Sequence, residues 1–324
     1  MISSRSSNVG AGLAARRRRW SHGLALLLCA ATAVLLAAGA LVTGTGSSLA
    51  VLDWPLAYGQ LFPPMVGGIL FEHGHRLIAA AVGLLTVALA VWIGLVEPRR
   101  WVRWLAYAAV LAVVLQGLLG GLTVLLLLPK SVSVSHALLA QFFLVLAVLL
   151  AQVTAPGWPA LVGTAAAARA HPRQASRAAG WLGVATLAAL EAELLLGALV
   201  RHNNAGLIIP DFPLALGRIV PPLDSFPVTI HYLHRLGALA VLVLVAGMAW
   251  AAARRHGRDA PLMRRLAAVV LFALLQVALG AAVIWTQRLL WVTTLHVVNG
   301  GALIAATMLA TLRTWMLESP GSAA

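Results

Sequence analysis

Glu72 to Arg76 reads EHGHR at the head of one long apolar stretch, and residues 231–235 read HYLHR at the head of another. In both segments a histidine stands directly before an arginine, at His75 and at His234. Ionisable residues at the edge of a membrane-length apolar segment cost free energy to keep there, so they usually have a function. Two such pairs in similar settings indicate that the chain consists of two related halves.

The composition is that of an integral membrane protein. Of the 324 residues, 61% are hydrophobic and 10% are charged, which is more apolar surface than a soluble protein of this length can bury. The formal net charge is +14, but the basic residues gather in alternate loops between apolar runs. That distribution is typical of membrane topology and not of a nucleic-acid groove, so we expect a lipid bilayer and no nucleic acid. The single cysteine, Cys29, excludes an intrachain disulfide.

Eight apolar runs are each long enough to cross about 30 Å of hydrocarbon. The predicted spans are 23–43, 74–95, 105–128, 136–155, 179–200, 231–252, 266–285 and 292–313. With a cytoplasmic N-terminus, most of the 23 Lys and Arg residues fall on the inner side of the membrane. The positive-inside rule therefore places both termini in the cytoplasm.

An internal repeat relates the two halves. Residues 39–64 align without a gap with residues 197–222, and 12 of these 26 positions are identical. The identities include Asp-aromatic-Pro-Leu-Ala and Pro-Pro segments in outer loops, where matches between apolar runs cannot explain them. An even number of helices in each half gives both halves the same orientation, as in parallel repeats. The sequence thus predicts an all-α integral membrane fold, with eight transmembrane helices as two parallel-repeat four-helix bundles.

Five segments follow from this organisation. They are a basic cytoplasmic arm at 1–22, expected to be disordered, an N-terminal four-helix bundle at 23–155, a cytoplasmic linker at 156–178, a C-terminal four-helix bundle at 179–313 and a cytoplasmic tail at 314–324. The arm and the first apolar run also have the pattern of a signal peptide. Because the repeat includes that first helix, we expect the helix to be retained.

Four histidines recur between the halves. His75, His136, His234 and His296 occur one each on the second, fourth, sixth and eighth predicted spans, all near the outer face. Paired imidazoles from two helices of a bundle commonly hold heme iron from both sides, whereas zinc needs three or four ligands. Two histidines in each half therefore favour a porphyrin. The alternative is that each histidine only reaches toward the membrane–water interface. That alternative explains a single histidine better than four histidines at corresponding positions of the repeat.

Glu72 distinguishes the halves, because the second half has His231 three residues before its repeated histidine. Glu72 shares a helix face with His75 and is a candidate catalytic group that exchanges protons beside a metalloporphyrin. The alternative is a helix N-terminal charge favoured by the helix dipole. Arg76 and Arg235 are predicted either to bind heme propionates or to reach toward the interface.

Other polar residues receive weaker predictions. Asp53 and Asp211, each before an aromatic residue and a proline, are expected to shape turns. Glu191 and Glu193 are predicted to be buried carboxylates that pair with the opposite bundle or serve a proton path. His73 is a weaker ligand candidate than its neighbour because the second half has tyrosine at its place. Three polar residues precede a glycine by four positions, which predicts close helix packing; they are Gln116, Glu193 and Gln276, before Gly120, Gly197 and Gly280.

Taken in order, these motifs resemble the heme A synthase family over nearly the whole chain after about residue 20. The residues that carry the resemblance are Gly46 to Leu49, Asp53 to Leu56, Gly59-Gln60, Pro63-Pro64, Glu72 with His75 and Arg76, Gln116 to Gly121, and the later histidines. The resemblance implies oxidation of a methyl group of heme O to a formyl group, which gives heme A for terminal oxidases.

The resemblance also implies a role for each site residue. His75 and His136 would bind the substrate heme O iron, His234 and His296 would bind the iron of a heme b cofactor, and Glu72 would be catalytic. The implied setting is a bacterial inner (cell) membrane, with heme O synthase and cytochrome oxidase assembly factors as partners and a homo-oligomer left open. Many bacterial members carry a cysteine pair in the first outer loop, which this chain lacks, so a route that needs loop thiols is excluded.

Two other functions stay open on sequence alone. One is a di-heme b-type electron carrier acting on quinol without methyl oxidation, and the other is a repeat-built transporter whose histidines relay protons. Heme in the purified protein would exclude the transporter. Heme A formation that depends on Glu72 would exclude the carrier.

Overall fold

The computed structural model describes residues 2–169 and 177–318, which form nine α-helices joined by loops. The helices are α1 (Ile2–Gly44), α2 (Gly68–Val96), α3 (Arg100–Leu125), α4 (Lys130–Thr154), α5 (Trp158–Arg169), α6 (Ala178–His202), α7 (Phe226–His256), α8 (Ala260–Trp285) and α9 (Leu290–Glu318). Among the described residues, eight helices are long and apolar enough to cross a membrane, all except α5. The all-helical class and the predicted number of spans are confirmed.

The helices that were predicted to begin on the outer side start earlier than the sequence indicated. Helix α2 begins at Gly68, not at residue 74, because Ile, Leu and Phe at 69–71 continue the apolar helix toward its N-terminus. Glu72 therefore lies beyond the first turn, which contains no acidic residue. The alternative interpretation of Glu72 as a helix N-terminal charge is wrong.

The segments predicted to be cytoplasmic hold more helix than expected. Helix α1 begins at Ile2, so the arm expected to be disordered is helical. The Ala and Arg residues at 14–19 are strong helix formers, whereas the Ser, Asn and Gly residues before them are not. The predicted linker contains α5, and α9 continues past residue 313 to a buried Glu318. The division into two domains at the predicted boundaries stays a prediction.

Helices α1 to α4 form one ring of contacts, and α6 to α9 form another. In each group every helix contacts the next in sequence, and the fourth contacts the first. One apolar core includes Leu28 and Phe143, and a second includes Met248 and Leu303. Contacts of α1 with α9, and of α4 with α6 and α9, join the groups. Their equal orientation in a membrane stays a prediction.

The two long loops predicted to lie on the outer side are residues 45–67, between α1 and α2, and residues 203–225, between α6 and α7. We call them the first and second outer loops, and each contains a turn held by an aspartate. Asp53 accepts hydrogen bonds from the backbone N–H groups of Tyr58 at 2.9 Å and Gly59 at 3.1 Å, and Asp211 makes the same two bonds in the second loop. The predicted turn role is confirmed. These backbone donors lower the pKa of both carboxyl groups. The aspartates therefore stabilise the turns above the ordinary pKa of about 3.9, and this contribution is lost as the pH falls through the lowered pKa.

The repeated arginines clamp these loops to the helices. The guanidinium of Arg76 donates to the carbonyls of Asp53 at 2.6 Å and of Leu56 and Val51 at 2.9 Å. Arg235 makes three equivalent bonds of 2.8 Å to the second loop. Both guanidinium groups are thus engaged by backbone oxygens, a role that neither sequence interpretation included. The clamps fix the outer loops over the helices that carry the repeated histidines.

Candidate functional site

Each repeated histidine packs its ring against a glycine of the preceding helix in the chain. The glycine–histidine pairs are Gly39–His75, Gly120–His136, Gly197–His234 and Gly280–His296. A Cβ added at the glycine would lie 3.1 Å from the ring Cε1 in the first and third pairs and 3.3 Å in the others. Contacts this short are tighter than most Cβ contacts, so a side chain at these positions would push the ring away by a few tenths of an ångström. The sequence pattern predicted helix packing at three of these glycines, but in the structure each one makes room for an imidazole.

The ring positions suit a metal held between two imidazoles. The ring centres of His234 and His296 are 6.5 Å apart, with the ring planes at 82°. A metal–nitrogen bond of about 2 Å on each side places two such ring centres about 6 Å apart. His75 and His136 take the corresponding places in the first half, on α2 and α4, each against its own glycine. The Nδ1 atoms of all four rings are buried and form no hydrogen bond of good geometry with the described residues.

The number of donors distinguishes between kinds of metal site. In the described ranges, 2–169 and 177–318, no three or more His, Cys, Asp or Glu side chains cluster as a metal site would require. A structural zinc site needs four such ligands and a catalytic one needs three, whereas a porphyrin supplies its own four nitrogens and takes one or two from the protein. The paired imidazoles therefore fit heme iron and do not fit a bare zinc ion.

A carboxamide lies beside one histidine in each half. Gln116 Nε2 is 3.3 Å from His136 Nε2, and it also donates to the His136 carbonyl at 3.0 Å. Gln276 Nε2 is likewise 3.3 Å from His296 Nε2, and Asn299 donates to Gln276 Oε1 at 2.8 Å. The amide side chains thus limit the positions that these two rings can take.

Glu72 is buried and held on both carboxylate oxygens. Oε2 accepts a hydrogen bond from the Val51 backbone N–H at 2.8 Å, and Oε1 pairs with Arg76 at 2.5 Å. In the second half His231 is also buried, and its Nε2 accepts from Arg235 at 3.3 Å. The two halves therefore share the loop clamp but differ in the ionisable group beside it.

Some polar residues lie in other surroundings than predicted. Glu191 is exposed, so the prediction that it is a buried carboxylate is wrong. Glu193 is partly covered and approaches His234, within its own half rather than across to the opposite bundle. Glu191 and Glu193 are two residues apart on a helix, so they point to different faces. The uniformly apolar residues around them gave no sign of which face is buried. His73 Nε2 lies 2.8 Å from the Leu61 carbonyl, so this ring is engaged by the outer loop.

The chain is similar over most of its length to proteins of one family. The family described as "Cytochrome oxidase assembly protein" (COX15-CtaA) matches residues 68–308. A protein of Halalkalibacterium halodurans named "Heme A synthase" is 32% identical over 288 residues, which are 86% of this chain and 90% of the relative. A protein of the same name from Symbiobacterium thermophilum is 35% identical over 255 residues, 77% of this chain and 82% of the relative. Another from Sphingopyxis alaskensis is 28% identical over 339 residues, 89% of each chain.

Proposed function

Since this chain belongs to the cytochrome oxidase assembly protein family, we propose that it is a heme A synthase of a bacterial membrane. It is a multi-pass oxidoreductase that converts a methyl group of heme O to a formyl group, and its product is heme A for terminal oxidases. The observation that carries this function is the twofold set of paired histidines, each packed on a glycine, with a buried carboxylate beside one pair only. That difference suits one half for a reaction and the other for a resident redox group.

The two histidine pairs take different hemes. His75 and His136 hold the iron of the substrate heme O in the half that contains Glu72. His234 and His296 hold the iron of heme b, and the separation of their ring centres, 6.5 Å, supports one iron between them. When bound, heme b would supply a one-electron redox couple, and the imidazoles of His234 and His296 would hold its iron.

Glu72 serves as the base beside the substrate. Turning a methyl group into a formyl group is an oxidation that replaces hydrogen by oxygen, so it needs an electron acceptor, and protons must leave the reacting carbon. The Val51 backbone and Arg76 hold the Glu72 carboxylate in one position, three residues before His75 on α2. The same arginine holds the outer loop over the site, which limits the access of bulk water.

We infer the orientation from the positive-inside rule and the partners from the family. Both termini lie in the cytoplasm, and the two clamped loops lie on the outer side of a cell (inner) membrane. Heme O reaches the site from a heme O synthase, and cytochrome oxidase assembly factors receive the product. A homo-oligomer stays a prediction.

Co-expression with a heme O synthase tests this function. The hemes of the membranes are extracted and separated by chromatography, and we expect a heme A peak that is missing from cells without this chain. The control is a His75→Ala/His136→Ala double variant, which should accumulate heme O. A purified protein with bound heme but no heme A in the extract would instead indicate a b-type electron carrier, and a colourless protein would contradict both functions.

The glycine contacts predict a second result. Gly197→Leu is expected to lower the heme retained by the purified protein about tenfold, because the new side chain displaces the His234 ring. The matched control is Gly247→Leu on α7, where an added Cβ meets no atom within 4 Å. Heme content is measured from the absorbance of the pyridine complex relative to protein. Equal heme loss in both variants would show that Gly197 has no special role.

A further inference from the structure

Glu193 is, among the described residues, the carboxylate that touches a repeated histidine. Its Oε1 lies 2.7 Å from Nδ1 of His234, with the two side chains 14% and 24% exposed. The Nδ1 atom of His234 does not form a hydrogen bond of good geometry with this oxygen. The other carboxylate oxygen, Oε2 of Glu193, is buried with no hydrogen-bond partner among the described residues. The carboxylate is thus directed at the ring and satisfied by no other donor.

The space for this carboxylate comes from a glycine. A Cβ added at Gly237 on α7 would overlap Oε2 of Glu193. In the first half the two aligned positions hold Leu35 and Ile78, and both of these side chains pack against the apolar core. The carboxylate and the glycine that admits it therefore occur together, and only in the second half.

Beside each of the other three repeated histidines, a neutral residue takes the place that Glu193 has beside His234. Each ring faces the backbone of a residue on the preceding helix. The facing residues are Leu35 for His75, Gln116 for His136 and Gln276 for His296. A histidine that binds a metal through one nitrogen donates the N–H of the other to a carbonyl, a carboxylate or water, and this partner orients the ring and raises its basicity. Within the described ranges, His234 is the one repeated histidine whose ring faces an anionic partner.

We propose that Glu193 is a positioning residue for His234, accepting its Nδ1–H and lowering the reduction potential of the heme in the C-terminal half. The inference rests on the proposed heme at His234 and His296. A carboxylate behind the axial ligand stabilises the ferric ion, which carries one more positive charge than the ferrous ion. The second half therefore holds its heme at a lower potential than a neutral partner would give.

A redox titration of the purified full-length protein tests this proposal. The protein is produced in a host without heme O synthase, so that heme b at the C-terminal pair is titrated without the substrate. Glu193→Gln keeps the size and an accepting oxygen but removes the charge. We expect the protein's affinity for ferric heme, relative to its affinity for ferrous heme, to fall about tenfold. This change raises the midpoint potential of the heme by about 59 mV for a one-electron couple. The low-spin ferric signal in electron paramagnetic resonance should shift with it.

Glu191→Gln is the matched control, because it removes the same charge from the same helix at an exposed position. We expect its potential to equal that of the unchanged protein. If Glu193→Gln gives that same potential with heme bound, the proposed role of Glu193 is wrong while the heme A synthase function stands. If the unchanged protein binds no heme, or His234→Ala keeps full heme, the heme assignment itself fails.

A second variant tests the proposal if the Glu193→Gln protein does not retain heme. Gly237→Ala places a Cβ against the carboxylate and displaces it without removing it. A raised potential in this variant supports the contact between Glu193 and His234. An unchanged potential overturns it.

Discussion

Replacing Glu72 by glutamine is expected to lower heme A formation about 100-fold in cells that make heme O, while the purified protein keeps its heme b. Loss of a positioned general base typically costs a factor of this size. Glutamine is nearly isosteric, and its carbonyl can still accept the bond from Val51 that ties the outer loop to α2. The substitution therefore removes the proton acceptor and also the ion pair with Arg76, whose three bonds to the loop carbonyls remain to hold the loop. Heme A and heme O are measured by chromatography of extracted hemes.

His231→Gln is the matched control for this variant. It changes the buried group that occupies the corresponding place in the second half, next to Arg235. Heme A formation should stay within a few-fold of the unchanged protein. Wild-type amounts of heme A from Glu72→Gln would show that Glu72 is not the catalytic base and only anchors the loop.

Replacing Asp259 by asparagine is expected to destabilise the protein by about 3 kcal/mol, the usual scale for breaking a buried ion pair. Arg313 is fully buried and is ion-paired with Asp259, and it also donates to the Leu161 carbonyl at 2.5 Å and to Thr164 Oγ1 at 3.0 Å. Without the carboxylate, this cation keeps only neutral partners. Asparagine retains an oxygen that can accept from the Leu262 N–H at the start of α8, so the loss is chiefly electrostatic.

Thermal unfolding in detergent measures this effect. Asp224→Asn, at an exposed position in the second outer loop, should leave the midpoint unchanged. An Asp259→Asn/Arg313→Met double variant should recover much of the loss, because it removes the unpaired cation. A midpoint for Asp259→Asn equal to that of the Asp224 control would show that the pair contributes nothing to stability.

The pH dependence of this pair has a definite sign. Burial alone raises the pKa of Asp259, but hydrogen bonds from Arg313 and the Leu262 N–H outweigh it, so the net pKa is below its ordinary value. The pair therefore stabilises the folded state fully above about pH 4, and its contribution is lost as the pH falls through the lowered pKa. Between pH 5 and pH 8 we expect no change in stability from this group, to within about 1 kcal/mol.

The sequence predicted the parts of the fold that depend on local pattern. The eight spans follow from hydrophobic length, and the turns at Asp53 and Asp211 follow from side chains that bond their own loop backbone. The early start of α2 escaped prediction because Gly68 marks no strong boundary. Arg313 is one of the basic residues on the predicted inner side. In the structure α5 lies against it, and the Leu161 carbonyl and the Thr164 hydroxyl, far away along the chain, accept hydrogen bonds from its guanidinium. Contacts between residues so far apart in the chain produce no local sequence pattern from which they can be predicted.

The candidate site was predictable only in its repeated elements. The internal repeat singled out the four histidines and the difference at Glu72, and their roles as ligands and base stay predictions. The glycine contacts could have been found from spacing, because Gly39 and Gly197 align just as His75 and His234 do. The contact between Glu193 and His234 could not, since it depends on the rotation of α6 relative to α7 and on the gap at Gly237.

The clamp at Arg76 joins the first outer loop to the turn of α2 that carries His75. Arg76 directly follows His75, so one peptide unit connects the group that holds the loop to the repeated imidazole. The loop can leave α2 only if the three hydrogen bonds from this guanidinium to the carbonyls of Val51, Asp53 and Leu56 break. A substitution of Arg76 is therefore expected to free the loop from the same helix turn that presents the imidazole.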